Sequence, residues 1–304
     1  MKVCVTGGGG FIGSNLAKTL EADAHNVVVL DDFRSGNAKN LDSFKGEVVN
    51  ESILTVDLAK FRDVEAIFHC AAITDTTIED EELMTKINVD GFKRFLEFAV
   101  KQNKKFIFAS SAAVYGNVSA TISENMAGEP LNIYGVSKWK ADCVAMEYIK
   151  KYSSSHIVGL RYFNVFGPGE QFKGKMASMV WQLAQQMLNG SRPRIFKYGE
   201  QKRDQVYVKD IVRANLLAVN AKKSIIANVG AGRGITFNHI IKVLNEVLGT
   251  DLAPEYFDNP YTEVYQNYTQ ADLTLAKEVL GYTPEWSFET AVKDYMNEIK
   301  GGRF

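Results

Sequence analysis

The run Thr6-Gly7-Gly8-Gly9-Gly10-Phe11-Ile12-Gly13 follows the short apolar stretch Val3-Cys4-Val5 and opens a segment whose apolar residues recur at helical spacing. A strand that ends in glycines and turns directly into a helix leaves few folds open. The pattern sets a helix N-terminus over the carboxyl end of a buried strand, the arrangement with which a parallel sheet binds a dinucleotide. Gly7 permits the tight turn, Gly10 lets the backbone approach a pyrophosphate, and Gly13 lets helix and strand pack closely. The free N–H groups and the positive end of the helix dipole then point at the phosphates.

The rest of the chain agrees with that start. Apolar runs of strand length recur at Val3-Val5, Val27-Leu30, Ala66-Cys70, Phe106-Ala109 and Ile157-Leu160. Runs this continuous belong to strands buried on both faces, so an α/β fold is expected: a doubly wound parallel sheet covered by helices. Helices are predicted at about 11–21, 81–102 and 134–151, the second starting in Glu79-Asp80-Glu81-Glu82, where acidic side chains suit the helix dipole better than a metal. After about residue 163 the alternation breaks. Phe166-Gly167-Pro168-Gly169 reads as a turn, Lys173 to Leu188 as an amphipathic helix, Gln205-Val208 as a strand, and Phe237-Leu248 and Ala271-Leu280 as helices. The expected division is a dinucleotide-binding domain at 1–165 plus about 205–235, with a smaller mixed α/β substrate-binding domain at about 166–204 and 236–304.

Composition narrows the partners. With 35 Lys plus Arg against 36 Asp plus Glu, nothing favours nucleic acid or a membrane surface, and no stretch is long and apolar enough to span a bilayer. A cytoplasmic protein is expected. Cys4, Cys70 and Cys143 have no metal-ligand spacing and read as buried small hydrophobes, and His69 reads as a core histidine, so no metal is expected.

Tyr134-Gly135-Val136-Ser137-Lys138 sets a phenol and an ammonium on one face of a helix, where the cation is expected to lower the phenol's pKa and make it a usable base. At the end of the second strand Asp31 and Asp32 can accept hydrogen bonds from an adenosine ribose and repel a 2′-phosphate, which favours NAD; Arg34 could pair with that phosphate, so NADP stays possible.

The glycine spacing, Ser110-Ser111-Ala112-Ala113-Val114-Tyr115-Gly116, Tyr134 and Lys138 together resemble the extended short-chain dehydrogenase/reductase superfamily of nucleotide-sugar enzymes, which have a Rossmann fold. The resemblance implies that Ser111 partners Tyr134, that Lys138 holds the nicotinamide ribose, and that Asp57-Leu58, Ala71-Ala72, Asn88 and Tyr162 line the cofactor. No carboxylate follows Ser111 as it does in dehydratases of the superfamily, which points to epimerisation. Phe172-Lys173-Gly174-Lys175-Met176-Ala177-Ser178, Lys202-Arg203-Asp204 and Tyr268-Thr269-Gln270-Ala271-Asp272 are similar to the ADP-L-glycero-D-manno-heptose 6-epimerases. That likeness implies a homo-oligomer and a nucleotide sugar bound by Ser111, Asn164, Lys173, Ser178, Phe196, Arg203 and Tyr268, with Lys173 a second acid/base facing the tyrosine; Arg192 is a further candidate for the diphosphate. A UDP-hexose 4-epimerase would share every one of these catalytic residues, and a non-catalytic nucleotide sensor is the reading from another class. Two departures stand out: Gly169 where the family commonly has arginine, and Asp31-Asp32 where NADP-using members commonly have Asp-Asn.

Overall fold

A computed structural model describes residues 1–118, 120–260 and 267–301. The first half alternates strand and helix: β1 (Lys2–Thr6), α1 (Phe11–Ala22), β2 (Asn26–Leu30), β3 (Glu47–Val49), β4 (Ala66–His69), α2 (Glu81–Thr85), α3 (Phe92–Lys101) and β5 (Lys105–Ser111). A short β6 (Thr121–Ile122) precedes α4 (Ile133–Lys151) and β7 (Ile157–Tyr162). Then follow β8 (Asn164–Phe166), α5 (Met179–Leu188), β9 (Arg194–Phe196), β10 (Lys202–Tyr207), α6 (Val208–Ala218) and β11 (Ile225–Val229). The chain ends with β12 (Gly234–Thr236), α7 (Phe237–Leu248), β13 (Glu255–Phe257), β14 (Gln270–Ala271), α8 (Thr274–Leu280) and α9 (Phe288–Lys300).

Seven strands form one parallel sheet in the order β11-β7-β5-β4-β1-β2-β3. Side-chain alternation explains why both faces are apolar. Val3, Val5, Val27, Val29, Phe68 and Leu160 pack on the face covered by Leu16 and Leu20 of α1 and Ile211 of α6. Cys4, Val28, Leu30, Ile67, Phe106 and Phe108 face Phe92, Phe95 and Leu96 of α3 and Ala141 of α4. The order reverses between β1 and β4, so a crevice opens there at the carboxyl ends of the strands. A second core, with Phe166, Leu183, Ile195, Tyr207, Phe237, Leu244 and Tyr295, holds α5, α7 and α9 beside that crevice.

Several predicted elements shift. The helix expected over 81–102 is interrupted by a π-type turn at Lys86–Gly91, where Asn88 turns inward. The helix expected from Lys173 starts at Met179: Glu170–Met176 is a tighter 3₁₀ run with Gly174 at φ 54°, and Ser178 caps α5 by accepting from Trp181 N–H. The strand expected at Gln205-Val208 begins at Lys202, and Val208 already opens α6. Ala271 belongs to β14, which pairs with β6, so α8 begins only at Thr274, whose N–H is held by the Asp272 carboxylate at 2.9 Å. Of the three cysteines only Cys4 is buried; Cys70 and Cys143 are part-exposed. His69 sits in the core against Phe92, Phe95 and Phe106, its Nδ1 3.0 Å from the Thr6 hydroxyl. No helix among the described residues is long and apolar enough to cross a membrane.

Candidate active site

The glycine turn does what its residues allow. Gly7 adopts φ +70°, and a Cβ on Gly13 would fall 2.2 Å from the Gly7 carbonyl oxygen, so the start of α1 lies directly on the turn. Gly10 caps α1 without any side chain, and the first turn carries no acidic residue, so its N–H groups are open toward the crevice.

A cleft of about 580 Å³ runs from this turn along the sheet edge. Gly7, Gly10, Phe11, Ile12 and Gly13 form one wall, Asp31, Asp32 and Arg34 one end, and Ala71, Ala72, Tyr134, Lys138 and Tyr162 the other. Asp31 is buried and accepts hydrogen bonds from Gly9 N–H and Phe33 N–H, each at 2.8 Å, so it braces the turn as well as facing the cleft. Asp32 is exposed and lies 3.9 Å from Arg34. A cleft lined by open helix N–H groups, with carboxylates at the end of β2, fits a dinucleotide.

Other residues fall elsewhere. Asp57 does not line the cleft: it is exposed, and its carboxylate accepts from Ala59 N–H to cap a short 3₁₀ turn, while Leu58 packs against the hydrophobic core. Ser52 and Ile53 line that part of the cleft instead. Asn88 is also outside the lining. Its side chain accepts from Ile73 N–H at 2.8 Å and donates to the Ile73 carbonyl and the Ser137 hydroxyl, both at 2.9 Å, which ties the segment after β4 to α4.

A second cavity of about 710 Å³ adjoins the first, and Phe11, Ser110, Tyr134, Tyr162, Lys173 and Met176 border both. Ser111, Asn164, Ser178, Phe196 and Arg203 line its remainder. Lys173 reaches this junction over the Phe11 ring, its Nζ 5.6 Å from the centroid. Ser178 contributes mainly structure, since its hydroxyl caps α5 and donates to buried Glu170 at 2.9 Å. Tyr268 is not among the residues lining either cavity, and its hydroxyl donates to Gln270 Oε1 at 2.5 Å. Arg192 is likewise outside them, donating to the carbonyls of Ala253 and Pro254. Arg194, two residues further on, is the arginine of this segment that reaches the cavity. It lines the cavity, pairs with Glu255 at 3.0 Å and stacks 5.0 Å over Phe257, which meets Phe196 edge to face. The alternation of Arg194-Ile195-Phe196 in a short strand is the signal that could have found it.

Electrostatics at the junction differ from the expected pattern. Burial raises the pKa of the Tyr134 phenol, and the Ser111 hydroxyl rather than Lys138 acts to bring it down. The Lys138 ammonium lies 5.9 Å from the Tyr134 ring centre and donates to the Ala109 carbonyl at 2.9 Å. Burial lowers its own pKa to about 8. Lys173 is also lowered by burial, with Glu170 opposing the shift. Cys70, beside Lys138 in the cleft, is pushed up to about 12 by burial and stays a thiol.

Comparison with known proteins now bears on this geometry. Residues 3–230 match the model of the NAD dependent epimerase/dehydratase family. The chain belongs to that family. Among curated members of the NAD dependent epimerase/dehydratase family, it is similar to the ADP-L-glycero-D-manno-heptose-6-epimerase of Brachyspira hyodysenteriae, 37% identical over 98% of both chains. Among solved structures it is similar to the ADP-L-glycero-D-manno-heptose-6-epimerase of Helicobacter pylori, at 40% identity, TM-score 0.91, and coverage of 98% of this chain and 96% of that one. The UDP-glucose 4-epimerase of Thermotoga maritima, solved with UDP-glucose, is 32% identical with TM-score 0.89 and 99% coverage of both chains.

Proposed function

We propose that this chain is an ADP-L-glycero-D-manno-heptose 6-epimerase that keeps one NAD bound through each turnover. The observation that carries the reading is that Tyr134 and Lys173 both border the two adjoining cavities, two titratable groups at one junction. Likeness to the Brachyspira and Helicobacter heptose epimerases over nearly the whole chain supports it, and the 4-epimerase is matched at lower identity.

In this reading the nicotinamide supplies a hydride acceptor and then a hydride donor, so no net redox occurs. Gly10 and the open N–H groups of α1 would hold the pyrophosphate, Asp31 and Asp32 the adenosine ribose, and Lys138 the nicotinamide ribose. Tyr134 takes the proton of the sugar hydroxyl while the Ser111 hydroxyl steadies that oxygen. Lys173, from the other side, would give its proton to the carbonyl oxygen when the opposite face is reduced, and take it back in the reverse reaction. Arg194 and Arg203 grip the diphosphate with paired N–H groups, and residues 166–204 and 236–304 form the substrate side. A cytoplasmic homo-oligomer goes with this assignment.

The test is to incubate purified protein separately with ADP-heptose, UDP-glucose and UDP-GlcNAc and follow epimer formation by NMR. Inversion at C6 of the heptose alone supports the proposal. Inversion at C4 of a UDP-hexose with none of the heptose would replace it with the 4-epimerase reading.

A further inference from the structure

Lys173 stands on a segment with little of its own to hold it still. Residues 167–178 include Gly167, Gly169 and Gly174 at φ 141°, 96° and 54°, and a Cβ on Gly174 would meet nothing within 4 Å. The regular structure between β8 and α5 is the 3₁₀ run that Gly174 kinks. Glycines of this kind multiply the conformations open to a loop, so a side chain carried on it is placed only if something else closes the loop.

Glu170 closes it. The side chain is fully buried, and its Oε1 accepts from Gly167 N–H and from the Ser178 hydroxyl, each at 2.9 Å, while Oε2 accepts from Ser178 N–H at 2.5 Å. Gly167 begins the segment and Ser178 ends it, so one carboxylate ties the two ends together with Lys173 between them. Ser178 also caps α5, which fastens the closed loop to a helix end. On the other side Asn15 of α1 donates to the Pro168 carbonyl at 2.7 Å and to the Phe11 carbonyl at 2.9 Å. The loop is thereby set beside the ring over which the Lys173 ammonium lies. A buried carboxylate is costly unless its hydrogen bonds are made, and what its charge adds here is their strength.

We propose that Glu170 is a positioning residue for Lys173: by tying Gly167 to Ser178 it sets the place from which the ammonium meets the sugar. The proposal rests on the reading of Lys173 as the second acid/base. Glu170 acts through the backbone of the loop it closes and not by pairing with the ammonium. Glu170→Gln keeps the volume and one acceptor oxygen but turns an amide NH₂ against Ser178 N–H, so the clamp opens at that end. The ammonium then samples positions away from the reacting oxygen, and a misplacement of about 1 Å costs a proton transfer about 10²-fold.

The test is a double-mutant cycle with a second, substrate-free readout. Turnover of ADP-heptose is measured for Glu170→Gln, Lys173→Met and the double variant. In the same proteins that keep Lys173, its rate of reductive methylation is followed by peptide mass spectrometry against exposed Lys223. Glu170→Gln should lower kcat by about 10²-fold with KM changed less than about twofold, and Lys173 should be methylated several times faster. In the Lys173→Met background the same change should cost less than about a further twofold, because the group it positions is gone. If Glu170→Gln does not fold, Glu170→Asp, a methylene too short to span both ends, takes its place in the cycle with the same expectations. An equal fall of kcat in both backgrounds would overturn the proposal and leave Glu170 a strut, and an unchanged kcat would overturn it as well. Wild-type kcat in Lys173→Met would overturn the reading of Lys173 and the proposal with it. If ADP-heptose is not turned over at all, the substrate reading fails by itself; faster methylation of Lys173 in Glu170→Gln then still supports the clamp, and an unchanged rate overturns it.

Discussion

Asn88→Ala should destabilise the fold more than it weakens cofactor binding. The wild-type amide satisfies both the N–H and the carbonyl of Ile73, a residue 6% exposed, and also reaches Ser137. Ser137 keeps another partner in the Tyr134 carbonyl at 2.7 Å, so the loss falls on the two Ile73 backbone groups. Each buried polar group left unpaired costs about 1–3 kcal/mol, and a total of about 3 kcal/mol is expected. For a chain of 304 residues the unfolding entropy is about 0.6 kcal/mol per degree, so Tm should fall by about 5 °C. Calorimetry on nucleotide-free protein, with urea unfolding as a second probe, measures this directly. Because Ile73 borders the cofactor cleft, NADH affinity should weaken by less than about tenfold. A variant with wild-type stability when nucleotide-free, weakened only in NADH binding, would refute the clamp and return Asn88 to the cofactor contacts that the sequence suggested.

Tyr134→Phe should lower kcat by about 10² or more while cofactor stays bound, as comparison of turnover with bound nucleotide would show; full activity would remove the phenol from the chemistry. Lys173→Met should slow heptose epimerisation strongly with little change in KM, whereas near-wild-type kcat would rule out a second acid/base. Nucleotide extracted from denatured protein should be mainly NAD by mass spectrometry, and mainly NADP would give Arg34 the role of phosphate ligand. His69 has a folded-state pKa of about 3 against an ordinary 6.5, so the unfolded chain takes up a proton that the folded chain refuses as pH falls through that window. Stability should therefore drop on acidification from about pH 6.5 toward 3, by up to about 1.4 kcal/mol per pH unit. His69→Leu should flatten the slope of unfolding free energy against pH measured in urea, and an unchanged slope would exclude His69 as its source.

What could be read from the chain depended on how local the determining interaction was. The turn at Gly7 and the doubly buried strands announce themselves because a glycine at positive φ and a run such as Val27-Val28-Val29-Leu30 need no distant partner to be understood. The motif residues Tyr134, Lys138 and Ser111 did fall around one junction. Asp57 and Tyr268 did not, because a loop carboxylate is captured by the nearest free N–H, here Ala59, and a tyrosine by a neighbour such as Gln270. β11 and α9 escaped notice for the opposite reason. Ile225–Val229 is short, and only pairing with β7 makes it a strand, while Phe288–Lys300 becomes a helix on Ser287's cap and the packing of Val292 and Tyr295. The helix expected from Lys173 starts later because Gly174 breaks what the spacing of apolar residues suggests would continue.

The place of β11 has a consequence for how the protein is made. It covers β7 and is itself the outer strand of the sheet, with Asn228 N–H on its far side held by the Glu124 carboxylate, yet it leaves the ribosome only after β8, α5, β9, β10 and α6. Until Ile225–Val229 arrives, a nascent sheet ending at β7 presents the N–H and carbonyl groups of Ile157–Tyr162, a segment buried along its whole length in the finished fold, as an open edge. During that interval another chain's strand could add to the sheet as readily as its own. The early-synthesised half thus carries β7 as a bare edge until the late half has been translated, and a fragment cut between them should expose that edge to its neighbours.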